Sequence, residues 1–282
     1  MLRFAYNTNG CTNHRLDDAL ELIAEAGYSG VALTLDVHHF DPLADDYEAR
    51  AEALAARLAA LDLAVVLETS APYLLDPRAR QEPTLLHPSP EGRARRVDFI
   101  RRAIRIAKIC GGESVSYSSG RPRRGVPQQD AGVWLLDGLK QICEFAAAEG
   151  VVAALEPEPG HMVSTLDDFI LVRETLKQMT DAPLRLSLDV GHCLVTGDRE
   201  PASAVKEFDP FIGAVTVEDM KRGVHEHLPF GEGDMNMTAV LRALEDIGFE
   251  KLVTVELPHD GHRAHEMIPR SIDWLQEHLP SD

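Results

Sequence analysis

The stretch VVAALEPEPG (residues 151–160) joins an apolar run of strand length to a polar end, and a helical pattern over 165–180 follows it. The stretch LRLSLDVGH (184–192) repeats this arrangement, with Asp189 where the apolar alternation stops. Short β-rich runs that alternate with longer amphipathic segments are typical of parallel strands joined by crossover helices. The two stretches therefore predict consecutive βα units.

The same unit recurs eight times along the chain. The predicted strands are 2–7, 30–35, 63–69, 113–119, 151–156, 184–189, 213–219 and 252–257. The predicted helices lie near 15–27, 45–61, 91–110, 129–149, 165–180, 201–208, 236–247 and 265–279. Eight units without a linker predict one (β/α)8 TIM barrel domain over residues 1–282. The alternative is an open doubly wound sheet, which the absence of a GxGxxG motif after the first strand disfavours.

Composition narrows the classes of partner. The chain carries 28 Lys and Arg against 46 Asp and Glu, a formal net charge of −18, which argues against a nucleic-acid partner. No apolar run approaches the ~18 residues of a membrane span, and the first residues lack the apolar core of a signal peptide, so we expect a cytoplasmic protein without a membrane partner. The four cysteines form no CxxC pair and suggest neither disulfides nor a thiolate zinc site.

Acidic residues stand where the predicted strands end. In a TIM barrel the loops after the strands build the active site, so polar residues at those ends indicate function. Period-two alternation places Glu218 on the same strand face as Thr216, and Glu256 on the same face as Thr254. Five acidic residues are expected to converge on one mouth, namely Glu68, Glu156, Asp189, Glu218 and Glu256. The alternative for any one of them is a helix cap or a surface charge.

Converging carboxylates repel one another unless a cation neutralises them or some are protonated. A divalent metal held by carboxylates and imidazoles is the commonest solution, and we expect Mn, Zn or Mg. His192 follows Asp189 by three residues, and His225 and His227 precede a GEG turn that is expected to bring their loop over the mouth. The residues expected to bind substrate are Asn7, Glu68, Glu158, His192, His225 and His227. Asn7 is equally well explained as a turn residue.

The series LEPEPG, LDVGH, VED…HEHLPFGEGD and VTVELPH at the predicted ends of strands five to eight resembles the xylose-isomerase-like TIM barrels. That superfamily includes sugar-phosphate isomerases and epimerases, hydroxypyruvate isomerase, inosose dehydratase and endonuclease-four-type nucleases. The resemblance covers nearly the whole chain. It implies one divalent metal, usually manganese, held by Glu, Asp, His and Glu from strands five to eight, with both Glu residues also moving protons. By motif these positions are Glu156, Asp189, Thr216 and Glu256.

Thr216 departs from the family pattern, because threonine is a poor ligand for a borderline divalent ion. The fourth ligand is therefore expected from elsewhere, with Glu218 and His192 favoured over another histidine or water. The nuclease branch carries further histidines after strands three and four, where this chain has Ser70 and Ser118. With the acidic net charge, these departures argue against a nuclease.

The expected chemistry is proton abstraction beside a carbonyl. Glu156 and Glu256 come from strands three apart in a ring of eight, so they can face each other across a bound sugar as catalytic acid and base. An enediolate formed in this way leads to a sugar isomerase or epimerase. The alternatives are a dehydratase or lyase acting on a keto-sugar, inosose or 3-keto-glycoside, and a non-catalytic sugar-binding barrel. The sequence leaves open whether the chain forms a homo-oligomer.

Overall fold

A computed structural model of the protein describes residues 1–70 and 72–279. Its strands are β1 Arg3–Asn7, β2 Gly30–Thr34, β3 Ala64–Glu68, β4 Val115–Ser118, β5 Ala153–Glu156, β6 Arg185–Asp189, β7 Ile212–Val217, β8 Asp219–Lys221, β9 Val224–Leu228 and β10 Leu252–Val255. Parallel strands close into one barrel in the order β1-β10-β7-β6-β5-β4-β3-β2. The predicted TIM barrel is confirmed, and the open doubly wound sheet is excluded because β1 pairs with both β2 and β10.

The helices surround the barrel. They are α1 Leu16–Glu25, α2 Tyr47–Ala60, α3 Pro90–Cys110, α4 Gln128–Glu149, α5 Leu166–Leu176, α6 Val190–Thr196, α7 Pro201–Phe208, α8 Met237–Asp246 and α9 Ala264–Glu277. Large side chains such as Tyr6, Phe99 and Phe169 are fully buried in the core that these helices share with the barrel. Within the described ranges, no helix is long and apolar enough to span a bilayer. Residues 71 and 280–282 lie outside the described part, so the domain bounds of 1–282 stay a prediction.

The interior of the barrel is lined by small side chains. Ala5, Ala32, Val66 and Leu252 form a buried cluster separate from the main core. Ser116 on β4 donates a hydrogen bond to Ser187 on β6, with 2.8 Å between their Oγ atoms, although β5 separates the two strands in the sheet. Because side chains alternate across a strand, the next inward positions towards the carboxyl ends of the strands include Glu68, Glu156 and Asp189.

Charged groups also lie at the amino-terminal end of the barrel, and there they are paired. Arg3 Nη1 lies 2.6 Å from Glu113 Oε1, while Glu113 Oε2 accepts a hydrogen bond from the backbone N–H of Leu252 at 2.9 Å. Lys251 Nζ donates to the Gly213 carbonyl at 3.3 Å, and Arg185 Nη1 donates to the Pro210 carbonyl at 2.8 Å. This end of the barrel is closed by satisfied polar groups.

Two elements near the carboxyl ends of the strands differ from the predicted pattern. Helix α6 begins directly after Asp189, whose Oδ1 accepts from the backbone N–H groups of Gly191 and His192 and so caps the helix. The residues after β7, expected as a loop, form an antiparallel hairpin of β8 and β9. Strand β9 has the sequence VHEHL, and its first three residues are exposed. Because the strand buries little, its sequence lacks the alternation of apolar and polar residues that predicts a half-buried strand.

Candidate metal centre

The five predicted acidic residues all lie at the carboxyl ends of barrel strands. Glu68, Glu156 and Asp189 are the last residues of β3, β5 and β6, while Glu218 and Glu256 directly follow β7 and β10. The barrel therefore brings together carboxylates that are far apart in the sequence. Their burial differs, since Glu68, Asp189 and Glu218 are buried whereas Glu156 and Glu256 are partly open.

Three groups of side chains have ligand atoms close enough to share a cation. In each group the ligand atoms lie within 4.8 Å of one another, and the groups are Glu156, Asp189 and His192; Asp189, His227 and Glu256; and His192, His225 and His227. Asp189 belongs to both of the first two groups, with Glu156 and His192 in one and with His227 and Glu256 in the other. Carboxylate oxygens with imidazole nitrogens form a donor set that suits zinc or manganese.

Asp189 has the surroundings best suited to a metal ligand. Its Oδ1 is held at 2.8 Å by the Gly191 N–H and at 3.1 Å by the His192 N–H. Its Oδ2 is buried and has no hydrogen-bond partner among the described residues. Burial by itself raises the pKa of this carboxyl. The neighbouring His192 and His227 lower it by a larger amount, so the net pKa is below the usual value. An ionised oxygen held in this way fits a metal ligand.

His192 is oriented by the backbone. Its Nδ1 lies 3.0 Å from the Pro157 carbonyl oxygen, which requires a proton on Nδ1 and leaves Nε2 as a lone-pair donor in the neutral ring. Nε2 lies 3.4 Å from Asp189 Oδ2 and 3.2 Å from His225 Nε2. His192 thus lies beside both carboxylates of its group and is correctly placed for the ligand role expected of it, which stays a prediction.

The hairpin supplies the other two histidines. His225 and His227 alternate along β9 and therefore lie on one face, with ring centroids 5.6 Å apart. His225 Nε2 lies 3.9 Å from Glu158 Oε1, and His227 Nδ1 lies 3.8 Å from Glu218 Oε2. The expected placement of both rings at the barrel mouth agrees with these contacts, since His225 meets His192 and His192 Nδ1 is 3.8 Å from Glu156 Oε1.

The segment after β9 is fastened on two sides. Asp219 accepts hydrogen bonds from the backbone N–H groups of Gly231 and Met235, both at 2.9 Å. Phe230 stacks on Trp274 of α9 at 5.0 Å between centroids, and Trp274 stacks on His278 at 3.7 Å. The hairpin is therefore held between the rim of the barrel and the last helix.

The pKa values of the site residues are shifted by burial and by the charged groups close to them. Burial first, and neighbouring carboxylates second, raise the pKa values of Glu68, Glu156 and Glu218 well above their usual range. Burial lowers the pKa of His225 to about 4. For His227 burial acts in the same direction, but Glu218 and Glu256 outweigh it and raise the pKa to about 10. The carboxylates thus hold more negative charge than the site can balance without protons or a cation.

The turn after β1 contacts Glu256 directly through Asn9, for which the sequence left a substrate-binding role and a turn role equally open. Asn9 Nδ2 donates to Glu256 Oε1 at 2.7 Å, and Asn9 Oδ1 is buried without a partner among the described residues. Asn7 Oδ1 accepts from the Asn9 N–H at 3.0 Å and from Thr34 Oγ1 at 2.8 Å. Asn7 therefore shapes the turn, and its predicted role in substrate binding is untested.

The surroundings of three predicted residues bear on the roles expected of them. Glu218, expected as a ligand, belongs to none of the three candidate ligand groups found among the described residues, because it turns towards His227 and the start of α6. Glu68, expected to bind substrate, is also outside those groups and lies level with Ser116 of the neighbouring strand β4. His227, expected as a substrate contact, joins Asp189 and Glu256 instead.

A closed parallel barrel with carboxylates and imidazoles at its carboxyl rim defines a TIM-barrel protein with a candidate metal centre. The chain belongs to the family described as xylose isomerase-like TIM barrel, whose sequence model matches residues 20–278. The family resemblance inferred from the sequence is thereby confirmed.

Relatives by sequence are distant. An uncharacterized protein of Methanocaldococcus jannaschii is 27% identical over 49% of this chain and 48% of its own length. A putative hydroxypyruvate isomerase of Xenopus laevis is 20% identical over 64% of this chain and 65% of its own length. The chain thus matches less than two thirds of the length of both proteins. A 2-oxo-tetronate isomerase of Cupriavidus necator is 25% identical over 99% of both chains.

Solved structures share the fold. D-allulose 3-epimerase from a Methylomonas species, in complex with D-allulose, has a TM-score of 0.76 at 14% identity, with 99% of this chain and 97% of that chain covered. An IolI protein with a bound zinc atom has a TM-score of 0.75 at 19% identity, with 99% and 98% covered. At these identities the likeness establishes the barrel and nothing of its chemistry.

Proposed function

We propose that the protein is a sugar isomerase or epimerase that depends on one divalent cation. The observation that carries this proposal concerns Asp189, whose buried Oδ2 has no hydrogen-bond partner among the described residues. Asp189 lies in one candidate ligand group with Glu156 and in another with Glu256, and each group includes an imidazole. The isomerases and epimerases among the relatives support the same class of reaction.

The residues present fit a cation in this position. Glu156, Asp189 and Glu256 would hold it through carboxylate oxygens, and His192 or His227 would add a nitrogen donor. The mixed donor set favours Zn or Mn over Mg, which prefers an all-oxygen shell with several waters. A bound divalent ion supplies Lewis acidity that polarises the carbonyl and acidifies the neighbouring C–H. The zinc in the IolI neighbour supports the choice of ion.

Glu256 is the proposed general base. Asn9 Nδ2 holds Glu256 Oε1 at 2.7 Å, which orients the carboxylate from the side of the β1 turn. A base removes a proton from carbon only within hydrogen-bond reach, ~3 Å, so a fixed carboxylate is more effective than a mobile one. The unpartnered Asn9 Oδ1 can accept a hydrogen bond from a sugar hydroxyl beside the same group.

Glu156 is the proposed second acid–base group. It ends β5, which is three strands from β10 around the ring, so Glu156 and Glu256 approach the centre from different sides of Asp189. A proton removed by one group and returned by the other to the opposite face of the same carbon inverts that carbon. Return of the proton to the neighbouring carbon of the enediolate instead interconverts an aldose and a ketose.

The mouth above these residues suits a polyhydroxylated substrate. Glu158, His192 and His225 form a partly open polar wall, with Glu158 Oε2 lying 3.8 Å from His192 Nε2. Burial first and Glu256 second raise the pKa of Glu68, which favours the protonated carboxyl, a group that can donate a hydrogen bond to a hydroxyl or carbonyl oxygen.

The decisive experiment combines metal analysis with solvent exchange. Purified protein is assayed for Zn, Mn and Mg and then incubated in ²H₂O with D-allulose, L-ribulose 5-phosphate, hydroxypyruvate, a 2-oxo-tetronate, an inosose and a 3-keto-glucoside, followed by NMR. We expect about one metal equivalent and metal-dependent incorporation of deuterium next to a carbonyl, with an isomer or epimer as product.

Other outcomes separate the alternatives. Exchange accompanied by loss of a β-substituent identifies a dehydratase or lyase. Metal binding without exchange into any compound favours a sugar-binding barrel. Absence of metal, with no thermal shift on adding Zn or Mn, overturns the proposal.

A further inference from the structure

Glu218 is a buried carboxylate to which neither the fold nor the proposed reaction has so far assigned a role. Its side chain is 0% exposed, and neither of its oxygens has a hydrogen-bond partner among the described residues. Leaving such a group unsatisfied is costly, so a native structure retains one where it interacts with something else. Its nearest charge partner is His227 Nδ1, 3.8 Å from Oε2, and this nitrogen is itself buried and unpartnered.

The space around Glu218 is confined. A Cβ atom on Gly191, in the first turn of α6, would lie 2.1 Å from Glu218 Oε1 and 2.8 Å from the Met220 methyl carbon. Glycine at position 191 therefore leaves the room that the carboxylate occupies. The Glu218 side chain is enclosed between the start of α6 and the hairpin, where it faces His227.

His227 connects this carboxylate to the candidate metal centre. Its ring offers a nitrogen within 4.8 Å of ligand oxygens on Asp189 and Glu256. Metal-binding histidines commonly donate the N–H of their other nitrogen to a carboxylate, which fixes both the tautomer and the ring plane. A proton on Nδ1 facing Glu218 leaves Nε2 as the lone-pair donor, and a shift of about 1 Å would complete the hydrogen bond.

We propose that Glu218 is a positioning residue that holds His227 as a metal ligand carried by the hairpin. The inference rests on the proposed function, because it requires the metal. It explains why Thr216, the inward residue at the end of β7, need not bind the metal, since the imidazole arrives from β9 instead. It also assigns Glu218 an indirect role, in contrast to the direct ligation expected from the sequence.

The test measures affinity for Co²⁺ and Zn²⁺ by competition with a chelator, together with the visible absorption of the Co²⁺ form. Glu218→Gln keeps the shape of the side chain but removes its charge, and we expect affinity to fall about 10–100-fold, the range for groups that orient metal ligands. His227→Ala should lower affinity at least as much and alter the Co²⁺ spectrum through loss of a nitrogen donor.

The double variant distinguishes positioning from ligation. If Glu218 acts only through His227, Glu218→Gln should change affinity less than about 2-fold in the His227→Ala background, since coupled residues are non-additive. An undiminished effect in that background means that Glu218 binds the metal itself, and it overturns the proposal. Gly191→Ala, which displaces the carboxylate without removing it, should lower affinity in the same direction as Glu218→Gln.

Controls separate this inference from the proposed function. Glu226→Gln changes an exposed carboxylate next to His227 and should leave affinity unchanged. Circular dichroism and thermal unfolding without metal show whether each variant folds. If the parent protein binds neither ion, the proposed function fails and the inference with it. If the parent binds metal and Glu218→Gln binds it equally well, only the inference is overturned.

Discussion

The two ends of the barrel are both charged, but they differ in how their charges are satisfied. At the amino-terminal end Glu113 uses both oxygens, for Arg3 and for the backbone of Leu252, and Lys251 reaches a carbonyl. At the carboxyl end, Asp189, Glu218 and His227 each keep at least one buried atom without a partner in the described part of the chain. Charge alone therefore does not mark a site. What distinguishes the carboxyl end is that its buried atoms without a hydrogen-bond partner among the described residues include carboxylate oxygens, those of Asp189 and Glu218.

The largest effect is expected at the proposed base. Glu256→Gln keeps the shape of the group and can still contact Asn9, but it cannot take a proton. Solvent exchange at the substrate C–H should fall about 10²-fold or more, within the range for loss of a general base. NMR in ²H₂O on metal-loaded variant measures this. Exchange at the parental rate would reassign the base, with Glu156, Glu158 or Glu68 as the next candidates.

Loss of a central ligand should weaken metal binding without harming the fold. In Asp189→Asn the amide oxygen can still cap α6, whereas the free charge at Oδ2 is lost. We expect metal affinity to fall at least about 100-fold, beyond the range for residues that only orient ligands. Metal-free stability should fall slightly, because the lowered pKa of Asp189 shows that His192 and His227 stabilise its charge by more than burial opposes it.

The matched control for this variant is Asp168→Asn. Asp168 also accepts backbone N–H bonds at a helix start, in the capping box of α5, but it is absent from the candidate ligand groups of the described residues. The Asp168→Asn substitution should leave metal affinity unchanged. Equal loss of affinity in both variants would mean that capping, not ligation, controls the site.

The pH dependence of the metal-free protein should show the unbalanced charge. Burial and neighbouring carboxylates raise the pKa values of Glu68, Glu156 and Glu218, so the folded state holds protons that the unfolded state has released. Stability therefore falls as pH rises through the folded-state values. His161 and His225, with pKa values lowered chiefly by burial to about 3 and about 4, oppose this only below about pH 6.5, where an unfolded histidine is protonated.

Thermal unfolding with a chelator should accordingly show Tm decreasing from about pH 6.5 upwards. Added Zn²⁺ or Mn²⁺ should remove most of the decrease, because the cation balances the carboxylates in place of protons. Identical pH profiles with and without metal would show that the carboxylates are not its ligands.

The smallest effect is expected at the opposite end of the barrel. Glu113→Ala leaves the Leu252 N–H without its partner and removes the pair with Arg3. The free energy of unfolding should fall by about 1–2 kcal/mol, mostly from the lost hydrogen bond, since the Arg3 side chain is 40% exposed and its ion pair contributes little. Denaturant unfolding measures the loss. Metal affinity should not change. A 10-fold change would contradict the claim that the two ends of the barrel act independently.

Much of the fold was predictable because each strand and helix carries its own periodicity. The alternation in VVAALE and LRLSLD places Glu156 and Asp189 at strand ends, and the barrel then brings them together. The hairpin was missed since VHEHL lies mostly outside the core and buries little apolar surface. The spacing of His225 and His227 by two residues was the available signal that they share one face of a strand.

The sequence predicted which carboxylates lie at the carboxyl ends of the strands, but not how they are arranged there. Alternation correctly turned Glu218 inward, yet it says nothing about depth, and burial against Gly191 separates this carboxylate from the candidate ligand groups. The contact of Asn9 with Glu256 was not predictable, because the two residues are 247 positions apart and Asn-Gly is also an ordinary turn sequence. Catalytic roles, oligomeric state, location in the cell and the absence of a nucleic-acid partner stay predictions.

The stack of Phe230, Trp274 and His278 makes one of the two tryptophans of the chain an optical probe of the hairpin. Trp274 packs on the segment that follows His227, whereas Trp134 lies under Arg93, with the guanidinium carbon 4.4 Å from its ring centroid. Movement of the hairpin alters the surroundings of Trp274 and leaves those of Trp134 as they are. In a Trp134→Phe protein, the indole emission therefore becomes a direct, label-free record of what the hairpin does as it meets a ligand.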